Sequence, residues 1–192
     1  MDNLSMFDDS TVTAIYASHV LEHASYRYNR NHSYFGEKTD ERIAGLQARL
    51  GDIANGEVMR TLLEWHRVLK AGGALFVSVP DLDVLVRLYQ NETLSISDRF
   101  FVMRMIYGGQ VDEHDFHYTG FDEDLLAQLL RAAGFCEVRR VDEFGLYDDT
   151  SVMKKFGVPI SLNVAATACK FGPDGKPTTN RIYVSIMDMR QP

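Results

Sequence analysis

Histidines and an acid stand directly after a short apolar run near the start of the chain. His19, Glu22 and His23 follow the run at residues 12–17. Imidazole titrates near neutral pH, so it can take a proton from a reacting group. We predict His19 and His23 as candidate catalytic bases. The alternative is that Glu22 and His23 hydrogen-bond to a neighbouring loop and start a helix.

A second group of polar residues follows the glycine pair at 108–109. We predict that Gln110, His114 and Asp115 bind a substrate and that His117 acts as a base on a substrate hydroxyl. Histidines at i and i+3 beside an acid could also ligate a metal, but no third ligand is evident, so no metal site is predicted. Structural hydrogen bonding is the remaining alternative.

Asp81 follows a second apolar run, residues 74–79, and Pro80. Ligands bind open α/β sheets at the carboxyl ends of the strands, which makes Asp81 a candidate substrate-binding residue. The alternative, which we favour, is that Asp81 caps a short helix running to about Tyr89.

These residues need a sheet to bring them together. The pattern predicts strands at 12–17, 74–79, 136–141, 160–169 and 181–188, and helices at 57–70, 81–89, 97–107 and 122–133. Gly72-Gly73 is predicted to stop the helix at 57–70. Strands alternating with helices indicate an α/β fold with parallel connections. We expect the last two strands to add an antiparallel hairpin at one edge.

Composition limits the class of protein. The chain has 192 residues, 45% of them hydrophobic, which favours one domain over residues 1–192. A net charge of −7 argues against a nucleic-acid partner. No apolar run is long enough for a membrane span and no secretory signal is seen. Cys136 and Cys169 are widely spaced, which suits reduced thiols and a cytoplasmic protein. Aromatic and basic residues at 26–35 suggest a lid or a carbohydrate contact, within a helical insertion at 24–56.

Several motifs together resemble one enzyme family. The family is that of the class I S-adenosylmethionine (SAM) dependent methyltransferases. Their fourth strand resembles residues 12–23, which end in His-Val-Leu-Glu-His. The segment leading into their fifth strand resembles residues 67–75, Arg-Val-Leu-Lys-Ala-Gly-Gly-Ala-Leu. Three further segments resemble a bacterial subgroup of predicted, type 11-like methyltransferases: residues 107–110, 114–121 and 160–164. Thr13 stands where Asp is usual, and Ala71 where Pro is usual.

The resemblance implies a fold, a cofactor and an activity. The fold is a Rossmann-like α/β sheet with strand order 3-2-1-4-5-7-6, of which this chain is expected to lack the first strands and the glycine-rich turn that approaches SAM. Ser18 and His19 are expected to contact the cofactor, and Asp2 is expected to bind it near the position where an acidic residue meets the adenine. The implied activity is methyl transfer from SAM to a small-molecule or saccharide acceptor.

Two alternatives to an enzyme follow from the same resemblance. One is a non-catalytic remnant or assembly subunit that does not bind SAM on its own, and the other is a short version of a longer gene product. If the first strands are absent, strand 12–17 loses its inner neighbour. An unpaired strand is a template for association, so we expect a homodimer, or the strand at 181–188, to cover it.

Overall fold

The computed structural model describes residues 3–26 and 51–170, with only the backbone described at positions 52 and 55. The long helices are α1 Glu57–Val68, α2 Leu82–Tyr89, α3 Ile96–Tyr107 and α4 Glu123–Ala132. The long strands are β1 Val12–Ser18, β2 Leu69–Pro80, β3 Phe135–Val141 and β6 Ser161–Ala168. The pair β4 Lys154–Lys155 and β5 Val158–Pro159 forms a separate two-stranded ladder. Short 3-10 turns occupy Leu21–His23, Gly51–Asn55 and Thr150–Val152.

The four long strands form one sheet in the order β1-β2-β6-β3. β1 and β2 are parallel, whereas β6 is antiparallel to both of its neighbours, β2 and β3. Three strands therefore point one way and β6 points the other. This is the order 4-5-7-6 of a class I methyltransferase sheet, and it confirms the predicted fold class.

One detail of the predicted sheet is wrong. The strand predicted at 160–169 was expected in a hairpin at an edge, but β6 lies inside the sheet between β2 and β3. The reason is packing, because β6 is buried along nearly its whole length and is suited to an interior position. Its expected partner at 181–188 lies outside the described residues, as does most of the insertion predicted at 24–56.

The glycine pair at 72–73 has a different role from the one predicted. α1 ends at Val68 and β2 begins at Leu69, so the chain is already extended when it reaches the glycines. Gly72 has φ +78°, and the pairing with β1 shifts between Val12 and Ala14. Gly73 packs so closely on the Thr13 carbonyl that a side chain would not fit easily. The glycines thus form an irregularity in a strand instead of stopping the helix.

Two hydrophobic layers cover the sheet. α1 and α4 pack on one face, where Leu62, Leu129 and Leu130 meet inward residues of the strands in the main core. Phe144 covers the other face with Phe76, and Tyr16 packs edge-on against Phe144. α2 and α3 form a smaller cluster that includes Ile160, just before β6. No helix among the described residues has the length and apolar character to cross a membrane.

The two cysteines are not separate thiols in this structure. Cys136 on β3 and Cys169 just after β6 are joined as a disulfide, with Cα atoms 5.8 Å apart. The prediction of reduced, isolated cysteines is therefore wrong for this structure. The 33-residue separation hid their proximity, which arises because β3 and β6 are antiparallel neighbours.

Candidate functional site

The end of β1 turns sharply into the site. The amide of His19 still donates to the Ser78 carbonyl of β2 at 2.9 Å, while its own φ of +52° bends the chain out of the sheet. Residues other than glycine adopt this conformation rarely, and such residues are concentrated at functional sites. The 3-10 turn at Leu21–His23 comes next and places the Glu22 side chain beside the ring of His19.

His19 links two elements through its ring. Its Nε2 lies 2.9 Å from Ser161 Oγ, and Ser161 donates its hydroxyl hydrogen to the Thr150 carbonyl at 2.8 Å. Ser161 is therefore the acceptor and His19 Nε2 the donor. Nδ1 lies 3.1 Å from Glu22 Oε1, although not in hydrogen-bonding geometry. If Nδ1 also carried a proton, the ring would be an imidazolium and would form an ion pair with the Glu22 carboxylate.

Glu22 is an unusual residue to find in this position. Its side chain is only 1% exposed, and neither carboxylate oxygen accepts a hydrogen bond from the described residues. A buried carboxylate is costly unless a positive charge or hydrogen-bond donors compensate it. Glu22 was part of a predicted cluster, but its burial was not foreseen.

The loop after α3 brings His117 to the same place. The amides of Tyr118 and Thr119 both donate to the Glu22 carbonyl, at 2.8 and 3.2 Å. The Thr119 hydroxyl donates to the Ala24 carbonyl at 2.8 Å. As a result, the rings of His23 and His117 meet edge to face with centroids 4.8 Å apart.

Both of these rings are oriented by the backbone. His23 Nδ1 lies 3.0 Å from the Phe116 carbonyl, and His117 Nδ1 lies 3.1 Å from the Met105 carbonyl. A carbonyl can only accept, so each Nδ1 is the donor and carries the proton. In the neutral rings the free lone pair is therefore on Nε2. Burial lowers the pKa of His117, which favours its neutral form.

Both carboxylate oxygens of Asp81, directly after β2, accept hydrogen bonds. Its Oδ1 accepts from the Val84 amide at 3.1 Å, and Oδ2 accepts from Arg140 at 2.7 Å. The side chain is 1% exposed. The predicted helix cap is confirmed, and a role in substrate binding stays a prediction. Arg140, 59 residues away, was not identified from the sequence.

The other predicted residues of the loop after α3 make contacts within the loop or are exposed. The backbone N–H of Gln110 donates to the Asp115 carbonyl at 3.0 Å, and the Asp115 carboxylate accepts from the backbone N–H of Val111 at 3.4 Å. The side chain of His114 is 88% exposed and does not join His117. Their substrate-binding role stays a prediction.

The predicted cofactor residues are described only in part. Ser18 lies near Tyr16 and Asp149, which hydrogen-bond to each other at 2.9 Å. Asp2 lies outside the described residues. Sequence reasoning missed Ser161, although it belongs to the segment 160–164 that carried part of the resemblance.

The chain is similar to several solved methyltransferase structures. No family model and no curated protein matches the sequence. Among solved structures, the chain is similar to the CurJ carbon methyltransferase, with 13% identity over 88% of this chain and 33% of that one, at a TM-score of 0.47. It is similar to a SAM-dependent methyltransferase from Archaeoglobus fulgidus, with 13% identity over 85% and 62% of the two chains, at 0.43.

A third similar structure is a SAM-dependent methyltransferase from Thermotoga maritima described as a possible histamine N-methyltransferase, with 16% identity over 87% and 60% of the two chains and a TM-score of 0.41. The chain spans less than two thirds of the length of each of these proteins. The strand order and directions settle the architecture. The fold is that of the class I methyltransferases. The four long strands of the described residues correspond to strands four to seven of that sheet.

The described residues do not form a complete cradle for SAM. In this fold the methionine end of the cofactor rests against a glycine turn directly after a strand. By the strand order, β1 and β2 correspond to strands four and five, whereas the glycine turn belongs to the first strands, so the described residues include no counterpart of that turn. The ring of His19 is held by Ser161.

Proposed function

We propose that this chain is the acceptor side of a SAM-dependent methyltransferase that acts on a small molecule or a saccharide. The single observation that carries the proposal is the grouping of His19, Glu22, His23 and His117 at the carboxyl edge of β1 and β2. Open α/β sheets bind their ligands at this edge. The sequence resemblance and the fold agree with this assignment.

The proposed roles of the histidines follow from their hydrogen bonds. The Nδ1 hydrogen bonds of His117 and His23 place the lone pair of each neutral ring on Nε2, as a base that accepts a proton from an acceptor hydroxyl or amine requires. His19 is paired with Ser161 and Glu22, so its role is to position Glu22 and to contact ligand from the cofactor side. Gln110, His114 and Asp115 are proposed to contact the acceptor from the loop rim.

A second candidate function has its own supporting observation. Because the described strands correspond to strands four to seven and include neither the first strand nor its glycine turn, the described residues alone are suited to a non-catalytic methyltransferase-like subunit. Such a subunit would keep the fold and its edge for assembly with another chain. It would not bind SAM by itself.

Calorimetric titration with SAM separates the two candidates. If the chain is an enzyme, titration with SAM should give saturable heat with about one site per chain and should raise the melting temperature. A labelled methyl group should also be transferred to hydroxylated or amino acceptors. His117→Gln is expected to reduce transfer by about 100-fold, as for loss of a general base, with unchanged SAM affinity. Glu92→Gln is the control, because Glu92 is exposed and is not part of the histidine group. No heat and no stabilisation with SAM would reject the enzyme in favour of the subunit.

A further inference from the structure

Three side chains at the proposed acceptor edge converge on one point. Glu22, His23 and His117 each offer one ligand atom, and these atoms all lie within 4.8 Å of one another. One comes from a buried carboxylate and two from partly buried imidazoles. The two segments that carry them are locked together by the amides of Tyr118 and Thr119, which both bond to the Glu22 carbonyl.

The imidazoles are already oriented as metal ligands. Ligating histidines usually donate their other ring N–H to a backbone carbonyl or a carboxylate, which fixes the ring and the tautomer. His23 does so to Phe116 and His117 does so to Met105, both from Nδ1. These bonds leave each Nε2 lone pair available to accept a cation.

The Glu22 carboxylate gives an independent reason to expect a cation. It is 1% exposed and no described residue donates a hydrogen bond to either oxygen. His19 Nδ1 lies 3.1 Å from Oε1, and this ring carries a positive charge only when it is protonated. Oε2 has no such neighbour among the described side chains, so a buried charge is left largely uncompensated.

We propose that Glu22, His23 and His117 bind a divalent transition-metal ion of the Zn²⁺ kind, with His19 positioning Glu22. Two imidazoles and one carboxylate suit zinc and leave a further position open for water or a ligand oxygen. Tetrahedral zinc with bonds of about 2.1 Å places its ligand atoms about 3.4 Å apart, so the three groups must draw together on binding. The proposal does not depend on methyl transfer or on SAM. A bound ion would occupy the Nε2 lone pairs of His23 and His117, so it would prevent these rings from acting as the base of the proposed function.

Calorimetry with Zn²⁺ and absorption spectroscopy with Co²⁺ test the site on the full chain, without added reductant so that Cys136 and Cys169 stay paired. We expect one equivalent of Zn²⁺, displaced by a chelator, and the visible bands of Co²⁺ in a nitrogen and oxygen environment. Glu22→Gln and His117→Ala should each weaken binding by more than about 100-fold, which exceeds the 10- to 100-fold typical of outer residues. His19→Ala should weaken it by only about 10-fold, because His19 acts through Glu22.

His114→Ala is the matched control, since it removes an exposed histidine three residues from His117. It should bind Zn²⁺ like the wild type. Circular dichroism confirms that each variant is folded, and His23→Gln replaces any variant that is not. The proposal is overturned by the absence of stoichiometric binding, by equal affinity in Glu22→Gln and the wild type, or by loss of binding in His114→Ala. Failure of SAM to bind leaves these results unaffected, so the two proposals fail separately.

Discussion

At the scale of single residues, the pair formed by Glu64 and Arg67 fastens the segment before β1 to helix α1. Arg67 donates from Nε and Nη2 to the two oxygens of Glu64 at 2.8 and 2.7 Å. Glu64 also accepts from the Leu4 amide at 3.2 Å, and Arg67 reaches the Phe7 carbonyl and Asp9. The hydrogen bond from Arg67 is the main reason that the pKa of Glu64 is lowered. Such a pair stabilises the fold only while the carboxyl is ionised.

Replacing Glu64 by Gln should therefore cost stability in a pH-dependent way. The folded pKa lies below the ordinary value of 4.5, so the stabilisation is complete above about pH 4.5 and is lost as the pH falls through the folded pKa. At pH 7 we expect a decrease of about 1 kcal/mol in the free energy of unfolding, as for a half-buried pair. Urea unfolding from pH 7 down to about 3.5 should show the wild type and variant converging at the acid end.

Glu92→Gln serves as the control, because Glu92 is exposed on the loop after α2. It should stay within about 0.5 kcal/mol of the wild type. A gap between Glu64→Gln and the wild type that stays constant down to the acid end would contradict this account of the pair.

Some of the site could be predicted from residue types and some could not. The spacing of His19, Glu22 and His23 after an apolar run was enough to place them at a sheet edge, because strands in parallel sheets end at a common edge. His117 joins them only through amides of the following residues that bond to the Glu22 carbonyl. No pattern in the sequence indicates such a backbone contact across about 95 residues of chain.

At the scale of elements, the turn after α3 determines where His117 lies. Gly108 has φ +86°, and a side chain there would collide with the backbone carbonyl of Asp115. The Tyr107 carbonyl in turn accepts the amide of His117 at 3.1 Å. The loop can close on itself only because Gly108 has no Cβ.

Gly108→Ala should lower the free energy of unfolding by about 2–3 kcal/mol, from the unfavourable φ and the steric conflict together. Gly157→Ala is the matched control, because Gly157 also has a positive φ of +78° but a Cβ there would meet open space. It should cost only about 1 kcal/mol. Urea unfolding measures both, and a loss in Gly157→Ala equal to or greater than that in Gly108→Ala would refute the steric argument.

Helices and strands with strong periodicity were predicted well, and their ends less well. α3 and α4 lie within a residue or so of the predicted ranges because Ser95 and Asp122 cap them as local signals. The end of α1 was wrong because Gly72 and Gly73 are equally suited to a helix end and to an irregular strand. Pairing with β1 decided between them, and that contact is not local.

At the scale of the whole molecule, β1 has one strand neighbour among the described residues, which is β2. The amides of Thr11 and His19 both point to the side of β2, where they bond to the carbonyls of Val68, at the end of α1, and of Ser78 in β2. Alternation along the strand therefore aims the amides of Ala14 and Tyr16 toward the other edge. The order of the sheet was predictable from the family pattern, whereas what covers this edge depends on contacts beyond the described residues.

We expect a second copy of the chain to pair with this edge of β1. Multi-angle light scattering at about 20 μM should then give the mass of a dimer, since unpaired strand edges promote association. Ala14→Pro removes an outward amide without touching the bonds to β2, so it should weaken the dimer by at least about tenfold, as for loss of a hydrogen bond at each copy. Ala14→Ser keeps the amide and should stay dimeric. A monomeric wild type, or equal dimerisation of the two variants, would show that the edge is not the interface.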